Sequence, residues 1–349
     1  MPIFHLYSFD PLLLYGGVDG QKLEVETSTL RARHSKKYFR KGKGLVAYTL
    51  LSNHIPLQTE LIGANEHESY FAFDIWYNNT STVSPDVVTG DMHLINRANF
   101  ALMYWFGGKL YPRFTDIDMQ CKHLYAGEER PEHKKYKIQP MGIIDRKLIE
   151  KEWPNLQRII ATLELKETTQ STLIKKLCTY KQDHQTRKAL FEFDKLIRSI
   201  HTLKCLLDPS IQRNTHRSQN RVEAYHQLRG AIAQAYGKKQ LIGRTNGALE
   251  ISNQCGRLVA CAIIHYNSAI LSKLYEKYQA EGNVKAIELL KKISPVAWRH
   301  IHFQGHFVFS NINVIDLEQI IQKLILDSKP ENIEKWMEIK QSKISEVCA

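Results

Sequence analysis

Three acids, Asp19, Asp91 and Glu223, stand where predicted strands end and a predicted helix begins. Carboxylates brought together from two strand ends and a helix can hold two divalent ions about 3.5–4 Å apart, which stabilise both the attacking and the leaving oxygen of an in-line phosphoryl displacement. Hard oxygen ligands suit Mg²⁺, which takes its remaining ligands from water and substrate phosphate. Each acid also has a plain structural reading. Asp19-Gly20 is a turn signal, Asp91 could cap the helix that follows, and Asn220 with Glu223 three residues on matches a capping box. The chain holds 36 Asp and Glu, so the spacing of any three selects nothing by itself.

The elements around these acids point to an α/β fold. Leu12 to Val18 reads as a buried strand ending in the Asp19-Gly20 turn, Leu23 to Glu26 alternates as a second strand, and Leu45 to Leu51 reads as a third; short connections suggest an antiparallel meander. Ser69 to Tyr77 is expected to be a helix, Asp86 to Thr89 a short strand leading into Asp91, Ile95 to Phe106 a helix and Leu110 to Phe114 another strand. From 119 to 215 Gly and Pro become scarce. Trp153, Leu156, Ile159, Ile160 and Leu163 form one apolar stripe and Leu190, Phe193, Leu196, Ile197 and Ile200 another, the pattern of a helical insertion. A helix is expected from Asn220 to Tyr236. A long one from Leu249 to Gln279 would bury Ile251, Cys255, Leu258, Val259, Ala262, Tyr266, Ile270, Leu274 and Tyr278.

The 349 residues carry 48 Lys and Arg against 36 Asp and Glu, a net charge of +12, which favours an acidic partner, nucleic acid foremost. Seven of the charges, Arg31, Arg33, Lys36, Lys37, Arg40, Lys41 and Lys43, fall between residues 31 and 43 with no acid among them; His34, Tyr38 and Phe39 are interleaved. This stretch is either a solvated loop or a phosphate-contacting one. The longest uninterrupted apolar run, Leu258 to Ile264, is seven residues, too short to span a bilayer. No secretory signal precedes the first strand, so a cytoplasmic location is expected. The six cysteines include no Cys-x-x-Cys, which excludes a zinc knuckle and leaves reduced, core-filling thiols. His300, His302 and His306 could be a metal trio, although alternating aromatics and histidines from Trp298 to Phe309 fit a half-buried strand better.

Several strings around the acids agree in order with one family. Val18-Asp19-Gly20-Gln21-Lys22 precedes the basic stretch; Thr89-Gly90-Asp91-Met92-His93, Gly107-Gly108-Lys109-Leu110-Tyr111-Pro112-Arg113-Phe114 and Asn220-Arg221-Val222-Glu223-Ala224-Tyr225-His226 follow. Over roughly residues 10–310 the chain resembles the C-terminal catalytic region of Tn-three family transposases. The resemblance implies an RNase H-like mixed sheet flanked by helices, with a large helical insertion before the helix of the catalytic Glu. Residues 1–118 would begin the core, 119–215 form the insertion, 216–310 complete the core and 311–349 form a helical tail.

The resemblance further implies that Asp19, Asp91 and Glu223 are the catalytic, metal-holding acids, with two Mg²⁺ ions for which Mn²⁺ can substitute. The implied activity is DNA transposition of the replicative, cointegrate-forming kind: 3′-end nicking, then attack of the freed 3′-OH on target DNA. Transposon ends and target DNA are the implied partners. Arg31, Arg33, His34, Lys36, Lys37, Arg40, Lys41, Lys43, Arg221 and Arg229 are the implied DNA contacts. The chain departs from the family at Val222, where Gly is usual, and at His302, where an Asn is usual. It also begins close to the core, whereas family members carry long end-recognition regions. A missing region acting in trans, a homodimer and a non-catalytic DNA-binding or dimerising remnant are therefore alternatives to weigh.

Overall fold

A computed structural model describes residues 1–179, 184–235, 237–304 and 316–327. The chain divides into two compact units, residues 8–261 and, separately, residues 1–7 with 262 onward.

The larger unit is built on a seven-stranded mixed sheet. Its five long strands are β1 (Tyr15–Val25), β2 (Lys43–Ser52), β3 (Ile55–Gly63), β4 (Val87–Gly90) and β5 (Lys109–Pro112). They lie in the order β3-β2-β1-β4-β5: β1, β2 and β3 are antiparallel neighbours, while β4 and β5 run parallel to β1. Two-residue strands, Arg33–His34 beside β2 and Gln240–Leu241 beside β1, complete the sheet. The β2–β3 turn is made by Asn53 and His54, both with positive φ (46° and 74°), as a two-residue hairpin of primed type requires. Asp19-Gly20 is therefore not a turn. The two strands expected on either side of it are one eleven-residue strand with Asp19 near its middle, held through its length by ten paired positions against β2.

Helices cover the sheet. A 3₁₀ turn, Glu68–Phe71, leads into α1 (Ala72–Tyr77), and α2 (Asn99–Trp105) joins β4 to β5. Then come α3 (Arg146–Glu164), α4 (Gln170–Thr179) and α5 (Gln185–Leu207), which occupy the expected insertion. The expected apolar stripes face the core: Leu156, Leu163 and Leu190 belong to it and Ile159, Phe193 and Ile197 pack against it, while Trp153 and Ile200 are exposed and polar Asp194, Ser199, His201 and Thr202 are buried beside them.

Helix α6 (Pro209–Gln234) begins eleven residues earlier than expected: Asp208 caps it by accepting from Ser210 N, with Pro209 in the first turn. Glu223 thus sits in mid-helix, and the Asn220–Glu223 capping box does not exist. The seam between α6 and β1 is close because Gly17 has no side chain. A Cβ there would lie 2.6 Å from Val222 Cγ2 and 3.0 Å from Ser218 Oγ.

In the longest helix, α7 (Asn246–Ala280), the expected face holds near the C-terminal end, where Leu274 and Tyr278 pack on a core cluster, but not in the N-terminal half. Ile251, Leu258 and Val259 are exposed, and Leu249, Asn253, Ala260, Ile264, Asn267 and Ser268 are buried. Asn253 and Asn267 on the inner face bond within the fold, whereas the hydroxyls of Ser268 and Ser272 are buried without a hydrogen-bond partner among the described residues. By length and composition alone this helix could cross a membrane. Counting uninterrupted apolar residues missed this, because polar residues punctuate the stretch. Core helices of globular domains meet the same test, so it makes no membrane assignment.

In the smaller unit, Ile3 and Tyr7 pack with Leu271 and Leu290, and Tyr7 Oη donates to Ile293 O at 2.7 Å. Asn267 Nδ2 donates to Pro295 O and Ala297 O, both at 2.8 Å, and its Oδ1 lies 3.1 Å from His300 Nε2. Residues 298–304 form turns and coil, not the expected strand, and His306 lies outside the described residues. Of the tail, α8 (Leu317–Asp327) is described.

The seam makes a direct prediction. Gly17→Ala should destabilise the chain by about 1–3 kcal/mol through overpacking, and Val222→Ala in the same chain should restore part of that loss. Urea denaturation of the two single variants and the double variant measures the coupling. Strictly additive effects would mean that the two positions do not meet.

Candidate active site

Strand pairing places the first two acids. Gly17 pairs with Thr89 in parallel register as the last pair of the β1–β4 ladder, and Asp91 lies one step past the end of β4, where its charge reaches Asp19. Side chains alternate along a strand, so Gly17, Asp19 and Gln21 share the face that α6 covers. Three contacts fix that cover. Thr89 Oγ1 donates to Ser218 Oγ at 2.8 Å, Val222 packs over Gly17, and Gln21 Nε2 donates to His226 O at 2.6 Å. Glu223 follows the Val222 contact directly and lies on the exposed flank of the seam. Asp91 does cap a turn: it accepts from His93 N at 2.9 Å at the start of the 3₁₀ helix Met92–Leu94.

The environment of Asp19 is electrostatically costly. Burial, then the charge of Glu68 and more weakly that of Asp91, push its carboxyl up to about 7, against a hydrogen bond from Gly20 N at 2.8 Å. Glu68 is a fourth acid that the sequence did not single out. Its Oε1 accepts from Lys22 Nζ at 2.7 Å, and it lies so close over Gly20 that a Cβ there would meet its Cδ at 2.6 Å. Tyr48 pairs with Gly20 from β2 and is fully buried. Burial, then Glu68, Asp19 and Asp91, raise its hydroxyl pKa well above the usual value.

His226 Nδ1 stands 3.7 Å from Asp19 Oδ2. This is not an ion pair, because burial pushes the imidazole down to about 3 and leaves it neutral. Its Nε2 is buried with no hydrogen-bond partner among the described residues. Glu68 carried no sequence signal, since it opens an ordinary helical segment; His226 lies within the Asn220–His226 string of the resemblance but was given no role.

Among the described residues, no three His, Cys, Asp or Glu side chains are gathered closely enough to hold a metal ion. The structure brings Asp19 within reach of the Asp91 charge and leaves Glu223 on the adjacent helix without closing the triple. The donors nonetheless fit a hard divalent cation. All three are carboxylates, and the crowding that raises Asp19 is a deficit of positive charge that a cation would relieve.

The basic stretch is anchored by Phe39, buried against Gly44, and by Ala32. Arg31, Arg33, His34, Lys36, Lys37, Arg40, Lys41 and Lys43 are all exposed. Tyr38 ties the stretch to the acids: Lys22 Nζ lies 5.1 Å and Lys37 Nζ 4.9 Å from its ring centroid. Two other expected DNA contacts are used inside the fold. Arg221 donates to Asn53 Oδ1 at 3.0 Å and stacks 3.8 Å from the Phe9 centroid. Arg229 is buried against Gly256 and donates to Asn253 O and Oδ1, each at 3.2 Å. Burial defeats the expectation for Arg229, because a guanidinium withdrawn from solvent cannot meet a phosphate.

The family described as Tn3 transposase DDE domain matches residues 1–307, and the chain belongs to that family. Domains of this kind generally use divalent metal ions. The chain is 25% identical over 299 residues to the transposase for transposon Tn2501 of Escherichia coli, an alignment covering 84% of this chain and 29% of that protein. It is 24% identical over 309 residues to the transposase for transposon Tn1546 of Enterococcus faecium, covering 86% and 30%. It is 21% identical over 298 residues to the transposase for transposon Tn4556 of Streptomyces fradiae, covering 85% and 33%. The chain thus spans about a third or less of these relatives. No solved structure matches it.

The raised Asp19 sets a pH dependence. An unfolded Asp ionises near 3.8 and the folded one near 7, so folding stability should fall as pH rises between those values. Asp19→Asn should therefore stabilise the chain at pH 8, by on the order of 2–4 kcal/mol, and have little effect at pH 4. Thermal melts at the two pH values, in chelator, check this. Equal effects at both would show that Asp19 is not strained by its charge.

Proposed function

We propose that this chain is the catalytic part of a DNA transposase that nicks the 3′ ends of a transposon and joins each freed 3′-OH to target DNA, in transposition of the replicative, cointegrate-forming kind. The observation that carries the reading is the placing of Asp19 within reach of the Asp91 charge and beside the helix that bears Glu223, in a chain of this family. In this reading the sheet is RNase H-like; three antiparallel strands followed by two parallel ones, in the order β3-β2-β1-β4-β5, support it. Residues 1–118 and 216–310 would form the core, 119–215 the insertion and 311–349 the tail.

Asp19, Asp91 and Glu223 would hold two Mg²⁺ ions, or Mn²⁺ in their place, which when bound supply Lewis-acid stabilisation of the attacking and leaving oxygens. Asp19 is the acid best placed to be shared between two ions, since Asp91 and Glu223 flank it from different elements. Neutral His226 limits the directions its carboxylate can take without adding a competing charge. The exposed cations of residues 31–43 would hold the phosphates of DNA, and Lys22 would set the limit of the acidic zone. The first step breaks a phosphodiester with water as nucleophile and leaves a 3′-OH. In the second step that hydroxyl attacks a target phosphodiester, so bonds are exchanged without a covalent enzyme intermediate. An inert, DNA-occupying remnant is the less supported reading, because all three acids are present and two stand within reach of each other's charge.

Asp91→Asn should abolish joining of pre-nicked transposon ends to target DNA while leaving the melting temperature and DNA affinity within about twofold of the parent chain. Strand-transfer and anisotropy assays on the same preparation test both halves. Joining by the Asp91→Asn chain would overturn the assignment.

A further inference from the structure

Beyond Gly17, β1 lacks a neighbour on one side. Its parallel ladder with β4 ends at the Gly17–Thr89 pair, and the next pairing on that side is Glu24 with Gln240. The other side is filled by β2 throughout. Leu14 O accepts from Val87 N at 3.1 Å on the β4 side, and backbone groups alternate along a strand, so Gly20 turns its N–H and carbonyl into the gap. Side chains bond them in place of a strand. Gly20 N donates to Asp19 Oδ1 at 2.8 Å, and Gly20 O accepts from Lys22 Nζ at 3.2 Å.

Glu68 reaches this gap from the face opposite α6: it meets the position of a Cβ on Gly20, whereas a Cβ on Gly17 meets α6. Its Oε1 accepts from the same Lys22 Nζ at 2.7 Å. The ammonium thus sits between a carboxylate oxygen and a carbonyl oxygen, the hard donors that a divalent ion also takes. Lys22 has a second resting place in the ring of Tyr38, whose centroid is 5.1 Å away.

Glu68 is carried on a frame shared with Asp91. Asn99, wholly buried, donates from Nδ2 to Ser69 O at 2.8 Å and to Leu94 O at 2.9 Å. This amide ties the residue after Glu68 to the 3₁₀ helix Met92–Leu94 that Asp91 caps.

Tyr48 gives an independent sign of a ligand. It pairs with Gly20 from β2 and is 1% exposed. No described residue bonds its hydroxyl, although after burial the charges of Glu68, Asp19 and Asp91, in that order, weigh on it. A buried hydroxyl without a partner is rare in a folded chain. Tyr48 would find one in a water ligand of a cation held by these acids, since Mg²⁺ keeps several of its waters.

We infer that Glu68 is a fourth carboxylate ligand of the divalent-ion site, and that Lys22 is the counter-ion from which the metal takes it. The inference rests on the metal-holding reading of Asp19, Asp91 and Glu223 above. Among the described residues no three of these acids are gathered for a metal while Glu68 is paired with Lys22. Exchange of the ammonium for a divalent ion would draw Glu68 in, and Lys22 would turn to Tyr38 and to DNA phosphate.

The test measures Mn²⁺ binding by the full chain, from the electron-spin signal of the free ion. Glu68→Gln should weaken binding by about tenfold or more, the least that loss of even an outer-sphere partner typically costs. Affinity unchanged in Glu68→Gln and lowered in Asp91→Asn would overturn the inference and leave the reading of the three acids standing. Failure of the parent chain to bind Mn²⁺ would overturn both.

Glu68→Cys tells a ligand from a distant charge. A thiolate there should ligate Cd²⁺, giving a cadmium–thiolate charge-transfer band beyond that of the parent chain, and Asp19→Asn in the same chain should remove it. Weakened Mn²⁺ binding in Glu68→Gln with no such band in Glu68→Cys would show that Glu68 acts through its charge alone, and overturns ligation. Should these variants not fold, the parent chain decides. Acetylation of Lys22 should quicken at Mn²⁺ concentrations that fill the site, because its ion pair with Glu68 opens. A rate that Mn²⁺ leaves unmoved would overturn the proposal.

Discussion

The close contact of α6 with β1 at Gly17 is the constraint on which the candidate site depends. A strand and a helix usually pack with side chains between them. Here one partner offers none, so Val222 fills the space and Ser218 reaches the hydroxyl of Thr89 on the neighbouring strand. Three points four residues apart on the helix are thereby fixed along the strand: Ser218, Val222 and, through its carbonyl, His226. The azimuth of α6 is then set, and with it the flank on which Glu223 emerges. Valine at 222, where the family resemblance implies glycine, takes part in this packing.

The same closeness makes the site electrostatically uncomfortable. A carboxylate on the covered face of β1 loses much of its water, and Glu68 approaches from the other side across the bare backbone of Gly20. Lys22 answers Glu68 but not Asp19 directly, and Tyr48 and His226 add no charge. Folding alone has left the centre short of positive charge. A site meant only for stability would place an arginine there, and this chain has placed its nearest arginines, Arg221 and Arg229, against Phe9, Asn53 and Asn253 instead. Burial of Asp19 beside Glu68 and Asp91 is thus an electrostatic cost that the fold carries.

Much of this was legible in the residues. Asp86 to Thr89 and Leu110 to Phe114 were recognisable as short strands from β-branched and apolar runs, but of the expected meander the pairing across Asp19-Gly20 does not exist, because both of its strands are β1 and both pair with β2. The local turn chemistry misled. Asp19-Gly20 has the composition of a turn, yet the continuous ladder to β2 overrides it, because ten paired positions outweigh one dipeptide preference. Asn220 and Glu223 have the spacing of a capping box, but Asp208-Pro209 is the stronger helix start and lies upstream.

Most of the inner face of α7 could not be read by hydropathy. Asn253 and Asn267 are buried because they find backbone carbonyls and side chains far along the chain, and those partners exist only after folding. Glu68 is the same case at the candidate site: its significance comes from a 46-residue contact with Lys22, which no local pattern encodes.

If the proposed reading holds, a cluster of acids that acts on a polyanion poses a further problem, since its field repels its substrate. Screening in salt reduces that repulsion only beyond about 8–10 Å, so within the site it must be countered by nearby cations. The chain sets its exposed cations on a short segment whose only buried aromatic, Phe39, anchors it, and whose exposed Tyr38 stacks between Lys37 and Lys22. Lys22 is thus shared: its charge faces Glu68 on one side and the ring that carries the basic segment on the other. Replacing it would disturb the acids and the cations together, whereas replacing any one exposed lysine would disturb neither. The junction between the acidic and the basic zone is in this sense a single side chain on β1, three residues beyond Asp19.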